Sequence, residues 1–350
     1  MLRFKNFIYI FRKNFFDYIK LNLSIVLYQK KIYKEEIDMK NFVNRRQFLK
    51  KSFSGALGAA ILGSSFLKNG EKLSAAPMQK QFSGNLKKAF CMGVLPRKLS
   101  VLERFELAKK VGVEGIEANT IRSAEQVQEY KEASQSTGVM IHSIMNLDHW
   151  RYSLTDNDPA VVERSMEGMR TSMQNAHDLG ADTVLLVPGI VTGEVRYIDV
   201  YNRSQSRIKE LLPLAKELNV IIAIENVGNR FLLSPLEYIR YIDEIDSPYL
   251  QGYFDVGNIV SSGYPQDWIR TFGKRLVKVH IKRFEPGREH PEYDPKDRRT
   301  EGINWPDVRL ALSEVGYNGW VTAEVRGGDE EQIMEISRRM DKIFAGESPY

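Results

Sequence analysis

Four short apolar runs in the second half of the chain each carry one side chain of a type that binds metal ions. Glu225 follows Ile-Ala-Ile, Asp255 follows Gly-Tyr-Phe, His280 lies between Val and Ile, and Glu324 follows Val-Thr-Ala. A carboxylate buried alone at such a position would lose its hydration at a large cost in free energy. A shared divalent cation would remove that cost. Three oxygen donors and one nitrogen suit Mn²⁺ best, with Mg²⁺, Co²⁺ or Zn²⁺ as alternatives.

The elements that carry these residues repeat along the chain. From Ala89 onward, short apolar runs alternate with stretches of helical period. Strands are predicted near residues 90–95, 114–119, 139–145, 182–187, 220–225, 250–255, 276–282 and 319–325. Helices are predicted near residues 99–111, 123–137, 159–179, 196–218, 234–246, 265–273, 305–315 and 329–344. Such alternation predicts a parallel sheet, and eight repeats predict an α/β fold with one (β/α)8 TIM barrel domain.

A TIM barrel carries its active site at the carboxyl ends of its strands. The four metal-binding side chains end, or nearly end, the four consecutive predicted strands five to eight. We therefore expect Glu225, Asp255, His280 and Glu324 to converge on one divalent metal ion.

Several short motifs resemble the xylose isomerase-like sugar isomerase/epimerase family. They are Ile224–Asn226, Phe254–Asn258, Val279–Lys282, Gly302–Trp305 and Gly316–Val325. The resemblance covers roughly residues 90–345, and the motifs are specific through their order and spacing in combination.

The resemblance implies a metal site and an acid/base pair. In that family the residues that match Glu225, Asp255, His280 and Glu324 bind one divalent metal. In its ketose 3-epimerases the two glutamates also exchange protons on opposite faces of the substrate. Glu225 and Glu324 are therefore the expected catalytic residues. Such chemistry removes a proton next to a carbonyl, and a divalent cation stabilises the enediolate that forms.

One position departs from the ketose 3-epimerase pattern. Those enzymes commonly have a histidine three residues after the metal-binding aspartate, whereas this chain has Asn258. The Asp-x-Gly-Asn form resembles the sugar-phosphate 3-epimerase branch and uncharacterised isomerases. Phosphorylated sugars are scarce outside the cytoplasm, which conflicts with the export signal described below. We therefore expect an unphosphorylated ketose, keto-sugar or cyclitol as the substrate.

Further side chains at or after the predicted strand ends are candidates for contact with a sugar. An ordinary structural role is the alternative for each: a core histidine, a packed loop aromatic or a solvated charge. The residues expected to bind substrate are Glu117, His142, Trp150, Asn258, Lys282, Arg288 and Arg326.

The charge of the chain is divided unevenly. Residues 1–76 hold 15 Lys and Arg against 5 Asp and Glu, whereas residues 77–350 hold 35 against 40. A nucleic-acid binder would concentrate basic residues on its folded domain, so we expect no nucleic-acid partner. The single cysteine, Cys91, excludes an intrachain disulfide framework.

The basic N-terminal segment has the layout of an export signal. Arg45 and Arg46 precede Phe-Leu-Lys and an apolar stretch from Gly55 to Leu67, which is too short to span a bilayer. The paired arginines resemble a twin-arginine signal, which implies the Tat export machinery as a partner and a periplasmic location. An uncleaved signal that attaches the protein to the membrane is the alternative. We expect residues 1–76 to be an extension, with Met39 as a candidate start, and residues 77–350 to be the barrel domain.

Four functions remain open from the sequence. A sugar isomerase or epimerase is expected first, and a dehydratase that expels a β-hydroxyl from an inosose or keto-sugar would use the same metal. An endonuclease IV-like repair enzyme needs several histidines for its zinc cluster, and this chain has five histidines with one among the four ligands. The fourth alternative is a barrel that binds sugar without turnover. Barrels of this family often pair, so a homo-oligomer is also expected.

Overall fold

Eight parallel strands close into a barrel in the computed structural model, which describes residues 82, 84–297 and 301–350. Each strand pairs with the next along the chain, and the last strand pairs with the first. The strands are β1 (Lys87–Cys91), β2 (Gly115–Asn119), β3 (Met140–Met145), β4 (Thr183–Leu186), β5 (Ile221–Glu225), β6 (Leu250–Asp255), β7 (Leu276–Ile281) and β8 (Trp320–Ala323). The predicted (β/α)8 TIM barrel is confirmed.

A helix follows each strand. The helices are α1 (Val101–Lys110), α2 (Ala124–Thr137), α3 (Pro159–Leu179), α4 (Tyr197–Leu218), α5 (Pro235–Asp243), α6 (Pro265–Phe272), α7 (Trp305–Glu314) and α8 (Glu330–Phe344). Local sequence explains where several begin. The Ser123 side chain accepts a hydrogen bond from the N–H of Gln126 at the start of α2, and Ser234 caps α5 ahead of Pro235.

The first and last strands differ from their predicted bounds. β1 begins at Lys87 rather than at residue 90, and it gives way after Cys91 to a 3-10 turn, Met92–Val94. Lys87 and Lys88 disguised the start of the strand because lysine is rare in a barrel core. Lys88 is nevertheless buried, because its ammonium lies 2.6 Å from Asp341 Oδ1. β8 ends at Ala323, so Glu324 immediately follows the strand.

Two aromatic rings, those of Trp320 and His142, pack together inside the barrel. The Trp320 ring lies against Gly115, where a Cβ atom would approach within 2.5 Å of the indole. The His142 ring stacks on Trp320 with centroids 4.7 Å apart. These rings occupy the interior near the start of β8, whereas a TIM barrel carries its active site at the carboxyl ends of the strands.

The export signal, the candidate start at Met39 and the boundary at residue 76 lie outside the described residues. The described part of the chain belongs to the compact unit Gln79–Tyr350. Among the described helices, none combines the length and the apolar character needed to cross a membrane.

Candidate metal and active site

The four side chains at the ends of β5 to β8 converge as the sequence predicts. Parallel pairing places Asp255 directly beside His280. The ligand atoms of Glu225, Asp255, His280 and Glu324 all lie within 4.8 Å of one another. Nδ1 of His280 is 3.1 Å from Glu324 Oε2, 3.4 Å from Glu225 Oε1 and 3.9 Å from Asp255 Oδ2. Three carboxylates therefore surround one imidazole nitrogen.

This donor set fits a divalent cation. Asp255 Oδ2 and Glu324 Oε2 are buried, and the Lys282 ammonium lies 2.8 Å and 2.9 Å from them. The three carboxylates of the cluster outnumber this one ammonium, and buried negative charge is costly unless a further cation offsets it. Hard oxygen donors with one imidazole suit the first-row divalent ions and Mg²⁺.

The two glutamates of the site differ in proton affinity. Burial raises the pKa of Glu225 to about 7, although the nearby His280 acts in the opposite direction. Burial also acts to raise the pKa of Glu324, but the hydrogen bond and charge of His280, together with Lys282, hold that pKa well below its usual range. Two carboxylates of unequal proton affinity in one site are suited to separate acid and base roles.

Asp255 is oriented by the residues around it. The Asn226 side chain bonds to both the carbonyl and the N–H of Asp255, and the N–H of Asn258 donates to Asp255 Oδ1 at 2.8 Å. Asn258 also donates to the carbonyl of Asn226 and accepts from Lys282 Nζ at 3.2 Å. Gly257 allows this arrangement because a Cβ there would lie 2.2 Å from Lys282 Cγ. The Asp-Val-Gly-Asn motif thus holds Asp255 and Lys282 in place.

Glu117 lies at the other edge of the His280 ring. Its Oε2 is 2.5 Å from His280 Nε2, and its Oε1 accepts from the Ser143 hydroxyl at 2.9 Å. The Cys91 thiol donates to Glu117 Oε2 at 3.3 Å, and burial raises the pKa of that thiol. Glu117 was expected to contact substrate, but its carboxylate is engaged by these three side chains. Sequence reasoning missed Cys91 and Ser143, because only the strand register shows that both stand beside Glu117.

Lys282 and Asn258, also expected to bind substrate, contact protein groups of the site. The Lys282 ammonium forms ion pairs with Asp255 and Glu324. Burial acts to lower the pKa of Lys282, but the three carboxylates nearby outweigh burial and raise it. Both ends of the Asn258 amide are used within the protein.

His142 and Trp150 lie in different environments. His142 is buried inside the barrel, where its Nε2 is 3.1 Å from Thr322 Oγ1 and burial lowers its pKa well below the usual range. Trp150 is half exposed on the loop after β3, and its ring meets the edge of the buried His149 ring. Only Trp150 of this pair presents an exposed ring.

The two candidate arginines line one cavity, whose lining includes none of the four metal-binding candidates. Arg288 and Arg326 are exposed and line a cavity of about 450 Å³ between the loops that follow β7 and β8. Arg288 also lies 3.5 Å from Glu285, which lines the same cavity.

The profile described as "Xylose isomerase-like TIM barrel" matches residues 105–343. The chain belongs to this family. Within the xylose isomerase-like family, a curated relative is the L-ribulose-5-phosphate 3-epimerase UlaE of Escherichia coli, which is 28% identical over 199 residues, or 53% of this chain and 69% of the relative.

Solved structures share the barrel. The apo 3-keto-D-glucoside 4-epimerase YcjR from E. coli superposes with a TM-score of 0.61 at 15% identity, covering 74% of this chain and 98% of that one. A D-psicose 3-epimerase structure in the presence of D-fructose gives a TM-score of 0.60 at 16% identity, covering 74% and 99%. At these identities the likeness establishes the fold.

The histidines do not form the cluster that a zinc nuclease would need. His280 belongs to the four-residue group, whereas His142 lies deeper in the barrel and His149 accepts a hydrogen bond from the N–H of Val187. His177 contacts the carbonyl of Leu218 on the helical layer, and His290 lies beside Glu285. Among the described residues, a single histidine therefore serves the candidate site.

Proposed function

We propose that this protein is a divalent-metal-dependent sugar epimerase or isomerase that moves a proton at a carbon next to a carbonyl. The observation that carries the proposal is the convergence of Glu225, Asp255, His280 and Glu324 within 4.8 Å. The curated relative and two structural neighbours are named as sugar epimerases, which supports the same reaction class.

The residues divide the work of such a reaction. The four converging side chains would hold the cation, and Mn²⁺ fits them best. When bound, a divalent cation supplies positive charge that stabilises negative charge developing on the substrate oxygens. One glutamate, Glu225 or Glu324, accepts the carbon-bound proton, and the other delivers a proton to the opposite face. Return of a proton to the opposite face inverts the carbon, so no other reactant is consumed. Asn226 and Asn258 keep Asp255 in place during these steps.

The substrate class is an unphosphorylated ketose, keto-sugar or cyclitol. The twin-arginine-type signal supports this choice, because it predicts export to the periplasm through the Tat machinery. UlaE is named for a phosphorylated substrate, so L-ribulose 5-phosphate is the comparison compound.

The export route can be tested with the double variant Arg45→Lys, Arg46→Lys. This variant should stay in the cytoplasm on cell fractionation, and its normal export would contradict the export route.

Proton exchange tests the reaction directly. The Mn²⁺-loaded protein should incorporate deuterium from D₂O into a ketose next to its carbonyl and yield the epimer, both visible by NMR. A panel of free ketoses and inososes beside L-ribulose 5-phosphate identifies the substrate class. Exchange accompanied by loss of water would identify a dehydratase instead. Binding of sugar without exchange would overturn the enzymatic proposal.

A further inference from the structure

The two nitrogens of His280 face chemically different surroundings. Nδ1 faces the carboxylates of Glu225, Asp255 and Glu324, and Nε2 faces Glu117 at 2.5 Å. A neutral imidazole carries a proton on one nitrogen and a lone pair on the other. The group opposite Nε2 therefore decides which nitrogen is free to bind a metal ion.

We propose that Glu117 is a positioning residue that keeps the proton on His280 Nε2 and so presents the Nδ1 lone pair to the metal. The inference rests on the proposed function, because it assigns Nδ1 as the ligand atom. A carboxylate can only accept from Nε2–H, so this contact specifies both the tautomer and the orientation of the ring. Partners of this kind stabilise metal-bound histidines in many proteins.

Glu117 is itself held by two donors from neighbouring strands. Ser143 stands beside it in the register of β2 and β3 and donates to Oε1 at 2.9 Å. Cys91 stands beside it in the register of β1 and β2 and donates to Oε2 at 3.3 Å. Glu117, Ser143 and His280 are each at most 1% exposed, so water does not compete for these contacts. Strands β1, β2 and β3 thereby fix the ring that β7 supplies.

A second metal ion is the rival for the same atoms. Cys91, Glu117 and His280 Nε2 also lie within 4.8 Å of one another. The directed bonds from Cys91 and Ser143 favour the hydrogen-bonded arrangement, because they supply donors to both oxygens of one carboxylate. Two ions per chain in the wild type, with one lost in Cys91→Ser, would overturn the proposal.

The test combines nitrogen NMR with metal affinity. In the metal-free wild type, at a pH high enough for the His280 ring to carry a single proton, the ¹⁵N shifts of His280 should report the Nε2–H tautomer, and calorimetry at neutral pH gives the Mn²⁺ affinity. Glu117→Gln offers an amide oxygen to Nε2–H, so it should keep the tautomer and bind Mn²⁺ within a few-fold of wild type. Glu117→Ala should lose the tautomer preference and weaken Mn²⁺ binding roughly 10–100-fold. Ser143→Ala, which keeps the carboxylate, should give a smaller loss of Mn²⁺ affinity. Glu117→Met, which fills the space without offering an acceptor, covers the case in which Glu117→Ala does not fold.

Failure of the inference and failure of the metal site give different results. If Glu117→Ala, or Glu117→Met where the alanine variant does not fold, keeps both the wild-type tautomer and the wild-type Mn²⁺ affinity, the positioning role is wrong. If the wild type binds no divalent ion, the proposed function is wrong. The ¹⁵N shifts of metal-free wild type and Glu117→Gln, measured at the same high pH, then still decide whether Glu117 sets the tautomer. Nδ1–H in the wild type would overturn that role, and Nε2–H in both proteins would support it.

Discussion

Glu225 and Glu324 come from parts of the barrel separated by two strands, yet both carboxylates lie within 3.4 Å of the same nitrogen of His280. Their shared contact places two potential proton carriers beside the nitrogen that would bind the metal ion.

Each glutamate should be needed for proton transfer. Glutamine keeps the shape of the side chain but cannot accept a proton as a carboxylate does. With saturating Mn²⁺, Glu225→Gln and Glu324→Gln should each lower turnover by roughly 10²–10⁴-fold, measured by epimer formation. Glu163→Gln, which changes an exposed glutamate of α3, is the control and should retain activity. Wild-type turnover in either site variant would remove that glutamate from the acid/base pair.

The buried His149 should make stability depend on pH. His149 is 4% exposed, and burial lowers its pKa to about 4, with Glu324 acting in the opposite direction. The unfolded chain has a histidine pKa of about 6.5, so it binds the extra proton first as the solution is acidified. Stability should therefore fall between about pH 6.5 and pH 4, by roughly 2 kcal/mol from this residue at pH 5.

The variant His149→Asn isolates that contribution. Its amide oxygen can accept the hydrogen bond that the N–H of Val187 gives to His149 Nδ1. Urea unfolding at pH 7.5 and pH 5 should show a smaller acid-induced loss of unfolding free energy in the variant than in the wild type. Equal losses in the two proteins would mean that His149 does not change its proton affinity on folding.

The packing of Trp320 on Gly115 should tolerate no added atom. A Cβ at residue 115 would lie 2.5 Å from the indole inside the barrel. Gly115→Ala should therefore lower the free energy of unfolding by about 1–3 kcal/mol. Gly93→Ala is the matched control, because Gly93 is exposed and no atom lies within 4 Å of its added Cβ. Comparable stability of both variants in urea unfolding would show that the ring is not packed as described.

Most of the barrel follows from the sequence because its strands are continuous apolar runs and its helices have amphipathic periods. Lys87 and Lys88 hid the start of β1, since the sequence does not show that Asp341 pairs with Lys88. The four-residue site could also be predicted from the sequence. Each of its residues is a polar side chain at or near the end of an apolar strand, where a TIM barrel carries its active site.

The contact between Glu117 and His280 could not be predicted from the sequence. The residues lie on β2 and β7, which are not paired strands, so their approach across the interior depends on barrel closure and on side-chain direction. The same limit applies to Asn258, whose polar amide suggested a sugar contact. Its two ends instead bond to Asn226 and Lys282, because the turn after β6 brings them within reach.

Metal content is the most direct test of the four-residue site. The purified protein, loaded with Mn²⁺ and desalted, should carry about one ion per chain by mass spectrometry. Asp255→Ala should lose that ion, because Asp255 supplies a buried oxygen to the cluster, while the exposed-surface variant Asp178→Ala should retain it. One ion in the wild type and none in Asp255→Ala is the predicted result. No bound ion in the wild type, or full occupancy in Asp255→Ala, would contradict the metal-dependent mechanism.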